Sequence, residues 1–226
     1  MIKIASLLAS ALAVIVGIVV HESAHALAAY LLGDKTAQSR GRISLNPLNH
    51  IDPFGTIILP ILMILAGGPV FAFAKPVPVY LNNLKHPKRD EVLVSLAGPA
   101  SNIILACLGA VMMRLLGNVA ASSAFLWSGT LAVLVNFVVT FISVNLSLAF
   151  FNLIPLPPLD GSSVLVPFLK GKALSIYYRI QQYAMPILII VLYLLPMVLH
   201  IDLVGMFFSV TVDPLFSMLI EFGLGL

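Results

Sequence analysis

The sequence predicts an all-α polytopic membrane protein with about five transmembrane helices, a re-entrant apolar segment and a small β-sheet at the membrane edge. Three observations predict it. Of 226 residues, 60% are hydrophobic and only 9% charged, where soluble domains carry roughly 25% charged residues. The mean hydropathy is +1.08. The apolar residues also fall into runs of the length, about 20 residues, that a helix needs to cross a hydrocarbon core.

Five runs meet that length: 4–32, 92–116, 124–151, 183–199 and 203–224. The first follows Met1-Ile2-Lys3 in the manner of a signal peptide. It outlasts an ordinary signal h-region and continues helically to Leu32, so it reads as a retained transmembrane helix. A sixth run, 54–74, is interrupted by Pro60 and by Gly67-Gly68-Pro69, and its sequence fits either a crossing or a re-entrant segment, of which the helix topology favours the second. On either side of it lie Gly41-Arg42-Ile43-Ser44-Leu45-Asn46-Pro47, with the alternation of a strand, and Lys75-Pro76-Val77-Pro78-Val79-Tyr80, which its prolines keep extended. These two pieces are the expected sheet, with an edge near Ile43 or Val77 open for docking; ordinary polar loops are the alternative reading of the same residues.

Little polar sequence separates the runs, so residues 1–226 read as one membrane domain, with a core over 1–165 and C-terminal helices over 166–226. The formal charge of +3 comes from Lys and Arg in short loops, which is a topology signal and not a nucleic-acid surface. Cys107 is the single cysteine, so an internal disulfide is excluded.

The chemistry sits in His21-Glu22-Ser23-Ala24-His25. Two imidazoles four residues apart share one helix face and can ligate one metal ion, with Glu22 beside the metal as a base rather than a ligand. Ionisable side chains inside an apolar helix cost about 2.5–3.5 kcal/mol each on insertion scales. A hydrogen-bonded packing cluster would answer that cost in part, whereas a cation satisfies all three groups together. Catalytic zinc takes three protein ligands and leaves one position open, so a third ligand is needed. Asp160 is the candidate. It closes Phe151-Asn152-Leu153-Ile154-Pro155-Leu156-Pro157-Pro158-Leu159-Asp160-Gly161, directly after a full apolar run. Prolines there forbid a continuing helix, and irregular backbone at membrane depth is tolerated only where protein or water lines it. A helix-ending loop with a capping aspartate is the plainer alternative.

These residues resemble the site-2 protease family of intramembrane zinc metalloproteases. The resemblance rests on His21-Glu22-x-x-His25 and on Asn152-x-x-Pro155-x-x-Pro158-Leu159-Asp160-Gly161, and it includes Ala97-Gly98-Pro99-Ala100-Ser101-Asn102 between them. It implies His21, His25 and Asp160 as ligands of one Zn2+ per chain, Glu22 as general base, and Asn152 as a polar contact to the substrate or oxyanion. The substrate it implies is a transmembrane protein or peptide in the lipid bilayer. Inserted peptide-binding and regulatory domains of larger relatives have no counterpart here, so substrate choice and trigger stay open, as does oligomeric state. A metal-ion transporter using the same ligands as a transit site is the rival reading; internal repeats or a second ligand set would favour it, and the sequence has neither.

His21 lies about 26 Å along its helix from Ile4, at 1.5 Å per residue, near the C-terminal end, and Asp160 follows the C-terminal end of another helix. Those two helices should therefore run parallel, which requires that 54–74 not cross. With that topology Lys35, Arg40, Arg42, Lys75, Lys85, Lys88, Arg89, Lys170, Lys172 and Arg179 share one side, against Lys3 and Arg114. The positive-inside rule then places the site toward the cytoplasm, and single-domain size without organelle signals points to a prokaryotic plasma membrane. Asn102 reads as an interhelical bond, and Asn136 and Asn145 as facing the bundle interior. His50 reads as an interfacial loop residue.

Overall fold

The protein is described here from a computed structural model, over residues 2–58, 62, 65, 74–122 and 129–225. Four long helices dominate it: α1 (Ile2–Leu31), α2 (Pro87–Ser122), α3 (Gly129–Asn152) and, after the short amphipathic α4 (Lys172–Gln181), α5 (Leu203–Leu224). Their ends are set by local chemistry. Pro87 opens α2, where its missing N–H costs nothing, and Asp90 reaches back to accept from the His86 N–H at 2.8 Å. Asp202 caps α5 by accepting from Gly205 N at 2.8 Å, and α5 stops at Gly225, whose φ of 81° suits glycine.

Segments Ile4–Leu31, Pro87–Asn118, Leu131–Asn152 and Leu203–Leu224 are long and apolar enough to cross a membrane. The chain is thus an integral membrane protein with four such helices among the described residues, not the expected five. The run that fails is 183–199. It breaks into Ala184–Ile189, a wide π-type turn Ile190–Leu194 and Leu195–Leu199, with Pro196 removing a donor from the helical ladder. The course of α5 explains why no crossing is needed there. Its last turn lies against the C-terminal half of α2, where Arg114 donates to the Phe222 carbonyl at 2.9 Å. Hence α5 runs in the same sense as α2, and the chain between α3 and α5 returns at one end of the bundle.

α1, α2 and α3 each pack against the other two, and α5 packs on α2 and α3. The core is Ala106, Ala110, Met113, Val138, Ile142, Leu146 and Val212. Small residues let the backbones close: a Cβ on Gly109 would stand 2.7 Å from Ile142 Cγ1. Close approach of this kind is what binds helices where lipid removes the hydrophobic drive. Large apolar side chains such as Leu7, Leu8, Ile104, Leu108 and Val210 remain on the outside, where acyl chains would meet them.

The expected sheet is absent: no strand occurs among the described residues. Pro47, Pro76 and Pro78 lack the N–H groups that a ladder needs. In place of a ladder, Lys75 N donates to His50 O at 2.9 Å, and the Arg42 guanidinium bonds the carbonyls of Asn49 and Lys75. A side chain does the joining that backbone pairing was expected to do. The expected re-entrant run 54–74 lies largely outside the described residues, which hold its first turn, Pro53–Ile58.

Candidate metal centre

Helix α1 carries His21 and His25 one turn apart, and both are buried. Their rings meet edge to face, with centroids 4.6 Å apart and Nε2 atoms 3.0 Å apart. Asp160 reaches them from the end of α3. After Asn152 the helix does not continue and the chain folds into tight turns, through Leu156 N to Ile154 O at 2.8 Å and Leu159 N to Leu156 O at 2.8 Å. Pro155, Pro157 and Pro158 offer no donor, so the turns close on the leucines between and after them. At Gly161 a Cβ would lie 2.1 Å from the Leu153 carbonyl oxygen, so only glycine lets this segment lie flat against the helix end. Asp160 Oδ2 thereby comes to 3.2 Å from His21 Nε2 and 3.3 Å from His25 Nε2.

Helix α2 forms the floor. A Cβ at Gly98 would stand 2.4 Å from His25 Nε2 and 2.7 Å from His21 Cε1, so the imidazoles rest directly on α2 backbone. The outward-facing nitrogens are both engaged: His25 Nδ1 lies 2.7 Å from the Val94 carbonyl, and His21 Nδ1 lies 2.6 Å from Asn102 Oδ1. A carbonyl only accepts, so His25 carries a proton on Nδ1, the tautomer that in the neutral ring leaves the Nε2 lone pair to the centre.

These residues fit zinc. Asp160 Oδ2 is buried and has no hydrogen-bond partner among the described residues, which for a carboxylate oxygen is costly and calls for a cation. The three candidate ligand atoms lie within 4.8 Å of one another. Their actual spacing of 3.0–3.3 Å is close to the roughly 3.3 Å separation that tetrahedral bonds of about 2.0–2.1 Å impose. Two imidazoles and one carboxylate are also a ligand set that leaves a fourth position for chemistry.

Glu22, half-buried beside this cluster, forms no hydrogen bond among the described residues, so both of its oxygens stay available. Among the loop cations, Arg42 interacts electrostatically with the Glu22 carboxylate. Burial draws the Arg42 pKa below its ordinary value, against the attraction of the Glu22 carboxylate. The loop that carries Arg42 is tied to α1 close by: Ser23 Oγ donates to Ser44 O at 2.6 Å, and His50 Nε2 sits 2.7 Å from the same carbonyl. His50, the residue that ends the Pro47–Asn49 turn, is therefore a loop residue buried against α1. Asn152 stands apart from the cluster: its Nδ2 donates to Leu148 O at 2.9 Å, and no hydrogen bond joins it to the histidines or Asp160 among the described residues.

Sequence reasoning misses Gly98 and the buried pair Asn102 and Asn145 as parts of the centre. An amide in an apolar helix signals that a partner exists. It does not say which one, and that is where the signal ends.

Residues 117–195 match the model of peptidase family M50, an interval that holds α3 and Asp160 and not the two histidines. Three relatives, all named "Putative zinc metalloprotease", align over more of the chain. YwhC of Bacillus subtilis (strain 168) is 44% identical over 151 residues, 67% of this chain and 64% of that one. Rip2 of Mycolicibacterium smegmatis (strain ATCC 700084 / mc(2)155) is 33% identical over 173 residues, 76% and 61% of the two chains. Rip2 of Mycobacterium tuberculosis (strain ATCC 25618 / H37Rv) is 32% identical over 197 residues, 87% and 68%. The chain thus spans a little under two thirds of the first two relatives and a little over two thirds of the third. No solved structure matches it. Sequence shared along most of the chain, together with a His-His-Asp centre suited to zinc, means that the chain belongs to peptidase family M50, the site-2 protease family of zinc metalloproteases.

Proposed function

We propose that the chain is an intramembrane zinc metalloendopeptidase that hydrolyses a peptide bond in or near a transmembrane segment of a membrane-protein substrate. One observation carries this reading: the Asp160 carboxylate, brought from the far end of α3, leaves an unpartnered oxygen against two imidazole nitrogens of α1. His21, His25 and Asp160 would hold one zinc ion per chain. The chemistry supplied by zinc when bound is Lewis acidity toward a water molecule and toward the scissile carbonyl.

The remaining work falls to the chain. Glu22 takes a proton from the attacking water and delivers it to the leaving amine, a role worth about 10²–10⁴-fold in rate. The α2 backbone at Gly98 fixes the imidazoles from below, and the Val94 carbonyl holds the His25 ring. Asn152 contacts the substrate backbone or the oxyanion, for which its amide must turn away from Leu148. A helical substrate hides its carbonyls in its own hydrogen bonds, so it must open locally, and Gly, Pro or Asn near the cleaved bond lowers that cost. The loop cations from Lys35 to Arg89 and from Lys170 to Arg179 support a site open toward the cytoplasm of a prokaryotic plasma membrane. Residues 1–226 act as one membrane domain in this reading. Nothing favours metal transport, since a single ligand cluster occurs among the described residues.

The test compares wild type with Glu22→Gln in detergent, reading zinc content and cleavage of a transmembrane peptide together. Both proteins should carry about one zinc per chain, and the variant should lose at least about 10²-fold in turnover. Turnover at the wild-type rate in Glu22→Gln would end the proposal.

A further inference from the structure

Behind His21 lies a polar chain, buried in the bundle and absent from the reaction just described. Asn145 Nδ2 donates to the Phe141 carbonyl at 2.8 Å, and its Oδ1 accepts from Asn102 Nδ2 at 2.8 Å. Asn102 Nδ2 also donates to the Gly17 carbonyl at 3.1 Å, while Asn102 Oδ1 faces His21 Nδ1 at 2.6 Å. Both asparagines are fully buried, so water cannot substitute for any partner.

The direction of this chain is determined. Phe141 O and Gly17 O are carbonyls and can only accept. Turning Asn102 over would set its Oδ1 against the Gly17 oxygen and the Asn145 Oδ1, replacing two hydrogen bonds by two oxygen–oxygen contacts. Turning Asn145 over would do the same at Phe141 O. With both amides held, Asn102 offers only an acceptor to His21, whose Nδ1 must donate. In the neutral ring the Nε2 lone pair of His21 then points toward Asp160.

We propose that Asn102 and Asn145 are positioning residues of the metal centre. Asn102 fixes the tautomer and ring angle of His21, and Asn145, which touches no ligand, fixes Asn102. The three helices each contribute one link: α1 the imidazole and the Gly17 carbonyl, α2 Asn102, and α3 Asn145. Helix packing and metal affinity are thereby coupled through one hydrogen-bonded line. This rests on His21 being a zinc ligand, as proposed above, though not on Glu22 or on any cleavage step.

The experiment measures zinc affinity by competition with a chelator, and the ring ¹⁵N–¹H correlation of the zinc-loaded protein, in wild type, Asn102→Leu, Asn145→Leu, Asn145→Asp and Ile142→Ala. Ile142 is buried in the same α2–α3 seam but outside the polar chain, so Ile142→Ala reports loosened packing alone. Asn102→Leu should weaken zinc by about 10–100-fold, the usual cost of losing an outer partner of a ligating histidine. Asn145→Leu should weaken it less than Asn102→Leu and more than Ile142→Ala, and should shift the His21 Nδ1–H resonance. Asn145→Asp, which keeps an acceptor for Asn102, should bind zinc more tightly than Asn145→Leu. Equal losses in Asn145→Leu and Ile142→Ala would overturn the proposal, as would a wild-type spectrum with the His21 proton on Nε2. The latter result does so whatever the cleavage assay reports, and a failure of Glu22→Gln to stop cleavage leaves the positioning result standing.

Discussion

Asp34 and Asp160 each follow the C-terminal end of a long apolar helix, and the chain treats them in opposite ways. Asp34 is fully buried and accepts from Thr36 N at 3.0 Å, Thr36 Oγ1 at 2.6 Å, Tyr80 N at 2.7 Å and Asn83 Nδ2 at 2.9 Å. Burial pushes its pKa up, but the hydrogen bonds from Asn83, Thr36 and Tyr80 prevail and hold it below the ordinary carboxylate value. Asp160 is less buried, yet among the described residues its Oδ2 faces only two imidazole nitrogens, at 3.2 and 3.3 Å, with no hydrogen bond of good geometry. Burial of an acid beside a helix end therefore does not mark a site. What marks it is an acceptor that the protein leaves unsatisfied.

The largest expected effect breaks the two apart. Asp160→Ala should drop zinc content from about one per chain to nearly none while the helical bundle persists, since the acid's Oδ2 joins no hydrogen bond that holds the fold. Asp34→Ala should keep its zinc. It strands four donors between the α1 exit and the 80–83 turn, at about 1–3 kcal/mol for buried groups left unpaired, which is several degrees of melting temperature for a chain this size. Metal analysis and thermal melts of the two purified variants check both halves. Zinc loss in Asp34→Ala equal to that in Asp160→Ala would erase the distinction.

A smaller effect sharpens it at two glycines of α2. Gly98→Ala places a methyl 2.4 Å from His25 Nε2, where backbone on one side and a ligand on the other leave no room to yield. Overpacking of about 1–3 kcal/mol should appear as roughly 10- to 100-fold weaker zinc binding, read by chelator competition. A Cβ on Gly117 meets nothing within 4 Å among the described residues. Gly117→Ala should leave zinc unchanged and raise helix stability by up to about 1 kcal/mol.

These contrasts show what the sequence could disclose. His21, Glu22 and His25 were legible because three ionisable groups in one apolar helix require an explanation, and Asp160 because an acid after a proline-rich stop can supply the missing ligand. Helices α1, α2, α3 and α5 were legible from length alone. The fate of 183–199 was not: its hydropathy suits a membrane, and only the packing of α5 against α2 reveals that no crossing is needed. The sheet failed because alternation over 41–47 describes side chains, whereas a ladder depends on N–H groups that Pro47, Pro76 and Pro78 lack. The join made by Arg42 was invisible for a related reason, since an arginine that bonds two distant carbonyls leaves no pattern in the local sequence. Gly98 and Asn102 stand in a recognisable motif, but their meaning lies in what touches them across the α1–α2 contact.

The smallest effect concerns protons and tests whether Asp34 is satisfied as its bonds indicate. A carboxylate whose folded pKa is depressed contributes stability above its unfolded value, about 3.9, and loses that contribution as pH falls through the folded value. The difference in melting temperature between the parent and its Asp34→Ala derivative should therefore be constant above about pH 5 and shrink below about pH 4. Zinc release at low pH would obscure this in the wild-type protein, so the pair is best compared in an Asp160→Ala background, where the metal makes no contribution. A difference that widened on acidification would mean that the folded state favours the protonated acid. The four hydrogen bonds would then not be holding an ionised carboxylate, and Asp34 would belong with Asp160 among the groups that await a partner.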